Sequence, residues 1–396
     1  MMMHADGIMK SKVAIVECRE YNDAKQAVAK AVELLGGWEQ FVQPEESIIL
    51  KPNLLAKSKP EQACTTHPAV FRAVGSLLKE AGYGSLFYGD SPGPGRGSAE
   101  FIAGECGIKT EADDLGIPMA NFDYGSRVEF PEGRTAKEFI ICDGIREKDA
   151  IINICKMKTH QLERVTGAVK NIFGAVYGFN KGAAHAIYPS ADVFAKMLAD
   201  LNRMIKPRLH IMDGVLAMEG NGPQSGDPIK MNVIIASSDP VAVDAVFCRL
   251  VHLNPELVFT NVHGQNYGVG TWQDENIEVH TADGVVTIEN AVEKWGNPDF
   301  NVPRGSNFNG TLPFVGSLIN LLDRKPVVKK DLCIGCGICI EACPLEEKAI
   351  SFKNGKPAYN YRKCIKCYCC QEMCPKKAID VKDTLISKIA NRNWKI

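Results

Sequence analysis

The sequence predicts an α/β body, layered on a mainly parallel sheet, that is followed by a small α+β domain. Strand-like apolar runs alternate with helical patterns over roughly the first 320 residues, which is typical of helices packed on a parallel sheet. Cysteine and positive charge are concentrated in the rest of the 396-residue chain. Of its 15 cysteines, nine lie between Cys333 and Cys374. We therefore expect a body over residues 1–324, a cysteine-rich domain over 325–383 and a tail over 384–396.

The strands and helices of the body follow from the spacing of its apolar residues. Strands are predicted for VAIVEC (13–18), SIILKP (47–52), SLFYGD (85–90), AIINIC (150–155), LHIMDG (209–214) and NVIIAS (232–237). Helices are predicted for AKQAVAKAVELLGG (24–37) and AVFRAVGSLLKEAG (69–82), each of which ends in glycine. Asp239-Pro240 is typical of a helix N-cap, and Thr166 is predicted to cap a helix that contains Lys170. The loop-rich residues 296–310 are expected to help connect the two domains.

Composition and patterning exclude several classes of protein. The hydrophobic content of 45% and the charged content of 23% are ordinary for a globular protein. No run of about 18 apolar residues is present, so no membrane span is expected, and the start lacks the apolar segment of a signal peptide. Nucleic acid is not an expected partner, because the sequence has neither an overall basic field nor a nucleic-acid-binding motif. We expect a cytoplasmic protein of open oligomeric state, with Met9 as an alternative start.

The cysteine-rich domain contains the same cysteine spacing twice. Residues 333–344 read CIGCGICIEACP and residues 364–375 read CIKCYCCQEMCP, and both fit C-x2-C-x2-C-x3-C-P. This is the pattern of bacterial two-cluster ferredoxins, in which three thiolates of one run and the last thiolate of the other bind one [4Fe–4S] cluster. One cluster is thus predicted on Cys333, Cys336, Cys339 and Cys374, and the other on Cys364, Cys367, Cys370 and Cys343.

Other features of this domain are consistent with clusters. Structural zinc also uses four-cysteine sites, but two interleaved runs that each close with Cys-Pro favour clusters. Cys369 lies off the pattern, and Asn354-Gly355 predicts a hairpin turn. From Lys325 onward 15 basic residues stand against 7 acidic ones, and two clusters of about −2 each leave an excess of roughly +4. That charge suits an acidic electron-donor or acceptor protein, the acidic body of the same chain, or solvent alone.

Polar residues of the body gather just after the predicted strands, where ligands bind in parallel α/β sheets. They include Lys51 near the end of the second strand and Asn53 just after it, Asp90 at the end of the third, and Asp213 and Glu219 at and after the fifth. The Gly-Pro loop SPGPGRG (91–97) resembles a phosphate cradle, but it lacks the order of a P-loop and is more typical of a tight turn.

The stretch KMKTHQLERVTGAVKNIFG (156–174) follows the fourth strand and gathers three lysines and a histidine. Lys156, Lys158 and His160 precede the predicted helix, and Lys170 lies on the face of that helix that points away from the core. A helix N-terminus and several lysines together suit a carboxylate or a phosphate. The sequence therefore predicts a cationic pocket here, with a solvated loop as the alternative.

Seven short motifs of the body resemble those of the family catalogued as domain of unknown function 362. They are KPNL (51–54), GDSPG (89–93), KMKTH (156–160), TGAVKNIFG (166–174), MDG (212–214), EGNGP (219–223) and SDPVAVD (238–244). The resemblance covers roughly residues 45–250, and many members of that family carry C-terminal ferredoxin repeats. The family name implies no reaction, so the chemistry has to be argued from the residues.

Two hypotheses of function follow from these patterns. In the first, two clusters pass single electrons to a small anionic substrate or second cofactor in the body. Binding is assigned to Lys51, Asn53, Asp90, Lys156, Lys170 and Asn171, and catalysis to Lys158, His160, Asp213 and Glu219. His160 is the expected proton donor, Asp213 and Glu219 would act as acid or base or bind a divalent metal, and a lysine Schiff base would need a lowered pKa. In the second, the chain is a non-enzymatic electron carrier or metallocentre-assembly accessory that docks on a client protein.

Overall fold

The computed structural model describes residues 10–93, 97–178, 180–304 and 324–382. The alternative start at Met9 and the predicted tail over 384–396 lie outside these residues. So do part of the Gly-Pro loop 91–97 and the end of the predicted connector 296–310.

Fifteen strands and thirteen α-helices lie within the described ranges. The strands are β1 (Ser11–Glu17), β2 (Ile48–Lys51), β3 (Leu86–Tyr88), β4 (Gly125–Glu129), β5 (Glu138–Cys142), β6 (Ala150–His160), β7 (Arg164–Thr166), β8 (Leu209–Glu219), β9 (Asp227–Ser237), β10 (Ile277–Thr281), β11 (Gly284–Val286), β12 (Lys325–Val328), β13 (Ile350–Lys353), β14 (Lys356–Tyr359) and β15 (Ile379–Lys382). The helices are α1 (Ala24–Leu34), α2 (Pro68–Glu80), α3 (Ala99–Glu105), α4 (Ile108–Asp114), α5 (Asp143–Arg146), α6 (Ala168–Asn171), α7 (Asn180–Ile187), α8 (Ala191–Ile205), α9 (Pro240–Leu250), α10 (Phe259–Asn266), α11 (Ile288–Trp295), α12 (Ile338–Glu341) and α13 (Cys369–Glu372).

Nine of these strands form the sheet of the body, in the order β11–β10–β1–β9–β8–β6–β2–β3 with β7 paired to β6. The neighbours β3, β2, β6 and β8 are parallel, and β1 is parallel to β10. Because β9 is antiparallel to both β8 and β1, those two groups run in the same direction. Six of the nine strands therefore point one way, which confirms the predicted mainly parallel sheet.

Helices cover both faces of this sheet, which explains the unbroken apolar runs of its central strands. On one face, Ile48, Leu50 and Ile152 pack in a cluster with residues of α1 and α2. On the other face, Ile49 and Ile151 pack with residues of α8. Because β2, β3, β6 and β8 are parallel, their carboxyl ends meet at one edge of the sheet. This edge carries most of the predicted site.

Strand β6 is longer than the sequence predicted. The apolar run was expected to end at Cys155, but the strand continues to His160, and every one of its residues is buried. Lys156, Lys158 and His160 therefore lie in a buried strand, which excludes the solvated loop as their environment.

Two local turn predictions are confirmed. Asp239 caps α9, because its Oδ1 accepts hydrogen bonds from the N–H groups of Val241 and Ala242 at 2.8 and 2.9 Å. Asn354 and Gly355 form the two-residue turn between β13 and β14, with φ angles of 52° and 71°. Asparagine and glycine tolerate such positive φ angles better than other residues do.

The predicted cap at Thr166 is wrong. Thr166 is the last residue of β7, and α6 begins after Gly167, whose own conformation provides no side-chain cap. Asp244 of α9 instead accepts hydrogen bonds from the N–H groups of Ala168 and Val169 at 2.5 and 3.1 Å. A carboxylate that is distant in sequence thus satisfies the first N–H groups of α6.

The cysteine-rich domain, hereafter the module, is held against the body through α13. It contains two antiparallel pairs, β12 with β15 and β13 with β14. Gln371 is fully buried, and its Nε2 donates to the carbonyl and to Oδ1 of Asn221, both at 2.9 Å. Asn221 Nδ2 donates to the Ile379 carbonyl at 3.2 Å. Tyr368 packs in the same apolar cluster as Phe194 of the body. Polar and apolar contacts therefore fix the module on the body.

Replacing Asp244 by alanine should destabilise the body, because two buried N–H groups of α6 would lose their acceptor. We expect the free energy of unfolding to fall by about 2–4 kcal/mol, measured by urea denaturation. Asp283→Ala is the matched control, since Asp283 forms an exposed ion pair with Lys294 and should change stability by less than about 0.5 kcal/mol. Equal losses in the two variants would contradict the assigned cap.

Candidate functional site

A cavity of about 350 Å³ lies between the carboxyl edge of the body sheet and the module. The body lines it with polar side chains that include Asn53, Asp90, Lys158, Lys170, Asn171, Lys181 and His185. The module lines it with residues of α12 and α13 and with the turn at Cys343 and Pro344. The volume suits a small organic molecule, and the position is the one that ligands take in parallel α/β sheets.

A buried ion pair supports the wall of this cavity. Lys51 ends β2 and Asp90 follows β3, and their Nζ and Oδ1 atoms are 2.8 Å apart. Asp90 Oδ2 also accepts a hydrogen bond from the Leu54 N–H group at 2.8 Å. Because both charges are out of water, removing either partner costs about 3–5 kcal/mol. Lys51 therefore neutralises Asp90 from behind and is not among the described residues that line the cavity.

Gly174 is the residue that this ion pair requires. A Cβ atom at residue 174 would lie 1.8 Å from Asp90 Oδ1 and 2.7 Å from Lys51 Nζ. The Gly174 carbonyl also accepts a hydrogen bond from the Ser91 N–H group at 3.1 Å. The absence of a side chain thus lets the short 3-10 helix Ile172–Ala175 approach the edge of the sheet.

Lys158 is positioned by a chain of side-chain amides. Its Nζ donates to Asn53 Oδ1 at 2.9 Å and to the Cys64 carbonyl at 2.7 Å. Asn53 Nδ2 donates to Asn171 Oδ1 at 2.8 Å, and Asn171 Nδ2 donates to Asn153 Oδ1 at 2.7 Å. Each amide orients the next, so the ammonium group of Lys158 is held at a defined point of the cavity wall.

Two further lysines of the body line the cavity from α6 and α7. Lys170 is half-buried, and its Nζ lies 5.8 Å from the centroid of the Phe173 ring. Lys181 is buried, and its Nζ donates to the Val176 carbonyl. Burial lowers the pKa of Lys181 to about 8, although the nearby Asp90 opposes the shift. The cavity wall therefore contains an amine that exchanges its proton near neutral pH.

His160 lies behind Glu372 and is not among the described residues that line the cavity. Its Nε2 is 3.0 Å from Glu372 Oε1. Its Nδ1 accepts from the N–H groups of Leu162 and Glu163, both at 3.1 Å, which places the ring proton on Nε2. Burial and the charge of Lys170 lower the pKa of His160 to about 4. Burial alone would raise the pKa of Glu372, but His160 and Lys170 outweigh it and hold this pKa below its ordinary value.

Three other predicted residues lie away from the cavity. Lys156 and Asp213 form a second buried ion pair at 2.7 Å, and the Tyr21 hydroxyl accepts from Lys156 and donates to Asp213. Glu219 Oε2 accepts a hydrogen bond from the Asn301 N–H group at 2.7 Å at the end of β8. Within the described ranges, no three cysteine, histidine or carboxylate side chains converge as the ligands of a single metal ion would. Lys156, Asp213 and Glu219 instead hold elements of the body together.

The eight patterned cysteines line two small cavities of the module, in the predicted groups of four. The outer group is Cys333, Cys336, Cys339 and Cys374, and the inner group is Cys343, Cys364, Cys367 and Cys370. None of the eight forms a disulfide. The Tyr359 hydroxyl donates to Cys370 Sγ at 3.3 Å and the Ala378 N–H group donates to Cys374 Sγ at 3.2 Å. Four sulfurs around each cavity, with donors to them, fit two [4Fe–4S] clusters.

Both the body and the module match known protein families. Residues 48–249 match the family described as domain of unknown function (DUF362). The chain belongs to this family. Residues 325–375 match a 4Fe-4S dicluster domain, so the module of this DUF362 member is an iron–sulfur electron-transfer module. Both matches confirm the resemblance inferred from the motifs and from the cysteine spacing.

Relatives and solved structures extend this comparison. The thylakoid-associated protein sll1697 of Synechocystis sp. is 34% identical over 268 residues, which cover 66% of this chain and 81% of that protein. The lactate racemase apoprotein of Thermoanaerobacterium thermosaccharolyticum has a TM-score of 0.39 at 10% identity over 62% of this chain, and a Thermotoga maritima protein has 0.36 at 13% identity over 59%. This chain spans 59% and 60% of those two structures, which is less than two thirds of each. Among the helices of the described part, none is long and apolar enough to cross a membrane.

The sequence patterns did not single out Lys181 or Glu372 as cavity residues. Lys181 and His185 are four residues apart on α7, so helical spacing could have placed both on one face. No local pattern of the cysteine run shows that Glu372 turns towards the body, because that orientation depends on how α13 docks.

Gly174→Ala should destabilise the protein, because the new Cβ would force Asp90 and Lys51 apart. We expect the free energy of unfolding to fall by about 3 kcal/mol or more in a denaturant titration. Gly182 lines the same cavity from α7, but a Cβ there would meet no atom within 4 Å. Gly182→Ala should therefore be neutral or stabilising by about 0.5–1 kcal/mol. If the two variants were equally stable, Gly174 would not constrain the ion pair.

Proposed function

We propose that this protein is an iron–sulfur oxidoreductase that passes single electrons to a small anionic molecule bound between body and module. The observation that carries the proposal is the position of Cys343. This residue lines the cavity of the inner cysteine group and also lines the larger cavity beside the body. A molecule held in the larger cavity would therefore adjoin a cluster ligand.

We propose the outer and inner cysteine groups as the ligands of two [4Fe–4S] clusters, in a module that begins at residue 325. Bound clusters supply single electrons at low potential. The chain itself contributes the thiolates and the donors from Tyr359 and Ala378 that face two of them. Such donors stabilise the charge on sulfur and so affect the potential at which electrons are exchanged.

The charges around the larger cavity favour an anion with a defined orientation. Lys158, Lys170 and Lys181 line it from the body, whereas Glu341 and Glu372 line it from the module. Asp90, the body carboxylate in the wall, is already paired with Lys51. An anionic group would consequently bind towards the body, and the rest of the molecule would lie towards Cys343.

We assign proton donation to Lys181. It lines the cavity directly, and its lowered pKa of about 8 lies close to physiological pH, where general acids are most effective. His160, the donor expected from sequence, contacts the cavity through Glu372, so we propose that it positions that carboxylate. For Lys156 and Asp213 we propose a structural role, because they pair with each other.

An electron carrier or assembly accessory is the second candidate function. Cys336 is exposed, which favours contact with another protein. Reduction of anaerobically reconstituted protein, followed by addition of pools of phosphorylated and carboxylated metabolites, separates the two candidates. Optical reoxidation by one pool supports the enzyme, whereas reoxidation by a protein and by no pool supports the carrier.

We further propose a cytoplasmic location.

Lys170→Met should weaken binding of the molecule that reoxidises the clusters, because it removes a positive charge from the cavity. With the active pool, we expect the apparent KM to rise by about tenfold or more. Lys294→Met is the control, since Lys294 forms an exposed ion pair on the body and its loss should change KM by less than about twofold. Equal KM values in the wild type and both variants would show that Lys170 is not part of the binding site.

The pH dependence of reoxidation tests Lys181. A lysine with a pKa of about 8 donates a proton only below that pH, so the rate should fall as pH rises through about 8. Lys181→Arg keeps the positive charge but holds its proton at all accessible pH values. We expect kcat to fall by about a hundredfold, KM to change little and the alkaline limb to disappear. An unchanged alkaline limb in this variant would exclude Lys181 as the donor.

A further inference from the structure

The outer cysteine group lies beneath an exposed apolar surface. We call this surface the outer face and define it by Leu332, Ile334, Cys336 and Phe352. The three apolar side chains are 45%, 61% and 48% exposed, and Cys336 is exposed as well. Large apolar side chains clustered around one exposed residue are typical of a protein contact surface.

The outer face is built from two segments that pack together. The cysteine loop supplies Leu332, Ile334 and Cys336, and β13 supplies Phe352. A Cβ at Gly337 of the loop would lie 3.7 Å from the Phe352 ring, which places the ring directly against the loop. Because β13 is outside the cysteine runs, Phe352 can be replaced without changing a residue next to a cluster ligand.

The charges around the outer face are mainly positive. Lys330 and Lys353 are exposed within two residues of Leu332 and Phe352 in sequence, and the exposed Lys376 lines the cavity of the outer cysteine group. Asp331 is an exposed acid in the same segment. From residue 325 onward the excess of 15 basic over 7 acidic residues falls to roughly +4 when two clusters of about −2 each are bound. A partner that is complementary to this rim carries negative charge, which would also speed its encounter with the module.

The two cysteine groups differ in what surrounds them. In the outer group, Cys336 is exposed and Cys333 is partly exposed. In the inner group, Cys364 is partly exposed, whereas Cys343, Cys367 and Cys370 are buried, and Cys343 lines the cavity between body and module. The outer group is therefore the more accessible of the two from solvent, and the inner group adjoins the cavity between body and module.

We infer that the outer face is the docking site of a small acidic one-electron carrier protein, and that electrons enter at the outer cysteine group and leave at the inner one. At the contact the reduced carrier loses one electron, the protein gains one, and no bond forms or breaks and no proton has to move. The inference goes beyond the proposed function, because it concerns how electrons arrive and holds for whichever molecule occupies the cavity.

The test uses full-length, anaerobically reconstituted protein and a flavodoxin of net negative charge as the probe. Phe352→Glu alters the outer face and Lys353→Glu alters the charge beside it, and both residues lie outside the cysteine runs. Val285→Glu and Lys294→Glu are matched controls, because Val285 is 60% exposed and Lys294 lies in an exposed ion pair, both on the body. The Kd for oxidised flavodoxin, which needs no electron transfer, and the rate of reduction by reduced flavodoxin are measured for each protein.

Both outer-face variants should raise the Kd and lower the rate by about tenfold, whereas the controls should stay within about twofold of wild type. Added salt should weaken binding to the wild type more than binding to Lys353→Glu. Reduction by dithionite should be equally fast in all five proteins, because it does not need the docking surface.

Equal effects of the outer-face and control substitutions would overturn the inference. So would a wild-type Kd that does not depend on salt. Sedimentation of the wild type and of Phe352→Glu tests a second copy of the chain as the occupant, since the body is acidic. Self-association that is lost in Phe352→Glu would assign the outer face to a contact between copies and would overturn the proposed carrier site.

Discussion

The docking of a single helical turn, α13, is the contact on which the candidate site depends. Within four residues, this turn carries Cys370 of the inner group, Gln371, which bonds Asn221 of the body, and Glu372, which lines the cavity. Gln371 is fully buried, and an unpaired buried amide would cost about 1–3 kcal/mol. The same turn therefore fixes the module, positions the inner cysteine group and completes the cavity wall.

Buried charge is the second constraint on this edge of the sheet. Lys51 pairs with Asp90 and Lys156 pairs with Asp213, both with almost no exposure to water. Lys158 is oriented by oxygen atoms of an amide and a carbonyl. Ammonium groups are too costly to bury without such partners. The partners thus distinguish Lys51 and Lys156, which hold strands together, from Lys158, whose ammonium group is directed at the cavity.

Several motifs shared with the family have a structural explanation. Gly174 gives the 3-10 turn room beside the Lys51–Asp90 pair. Asp239 and Asp244, in one motif, satisfy the N–H groups that begin α9 and α6. Asn221 bonds the module from the body side. The motifs thus stabilise the arrangement around the cavity, and the function depends on the few side chains that this arrangement leaves facing it.

The sequence by itself determined the features that depend on local spacing. The two cysteine runs, the Asp239 cap and the mainly parallel arrangement of the strands follow from short-range patterns and could be predicted. The environment of the lysines could not. Lys156 and Lys158 are two residues apart and were expected to serve one pocket, but the register of β6 against β8 shifts between them. Their side chains consequently reach different partners, and only the tertiary structure decides which lysine lines the cavity, because register and docking are set by contacts between residues that are distant in sequence.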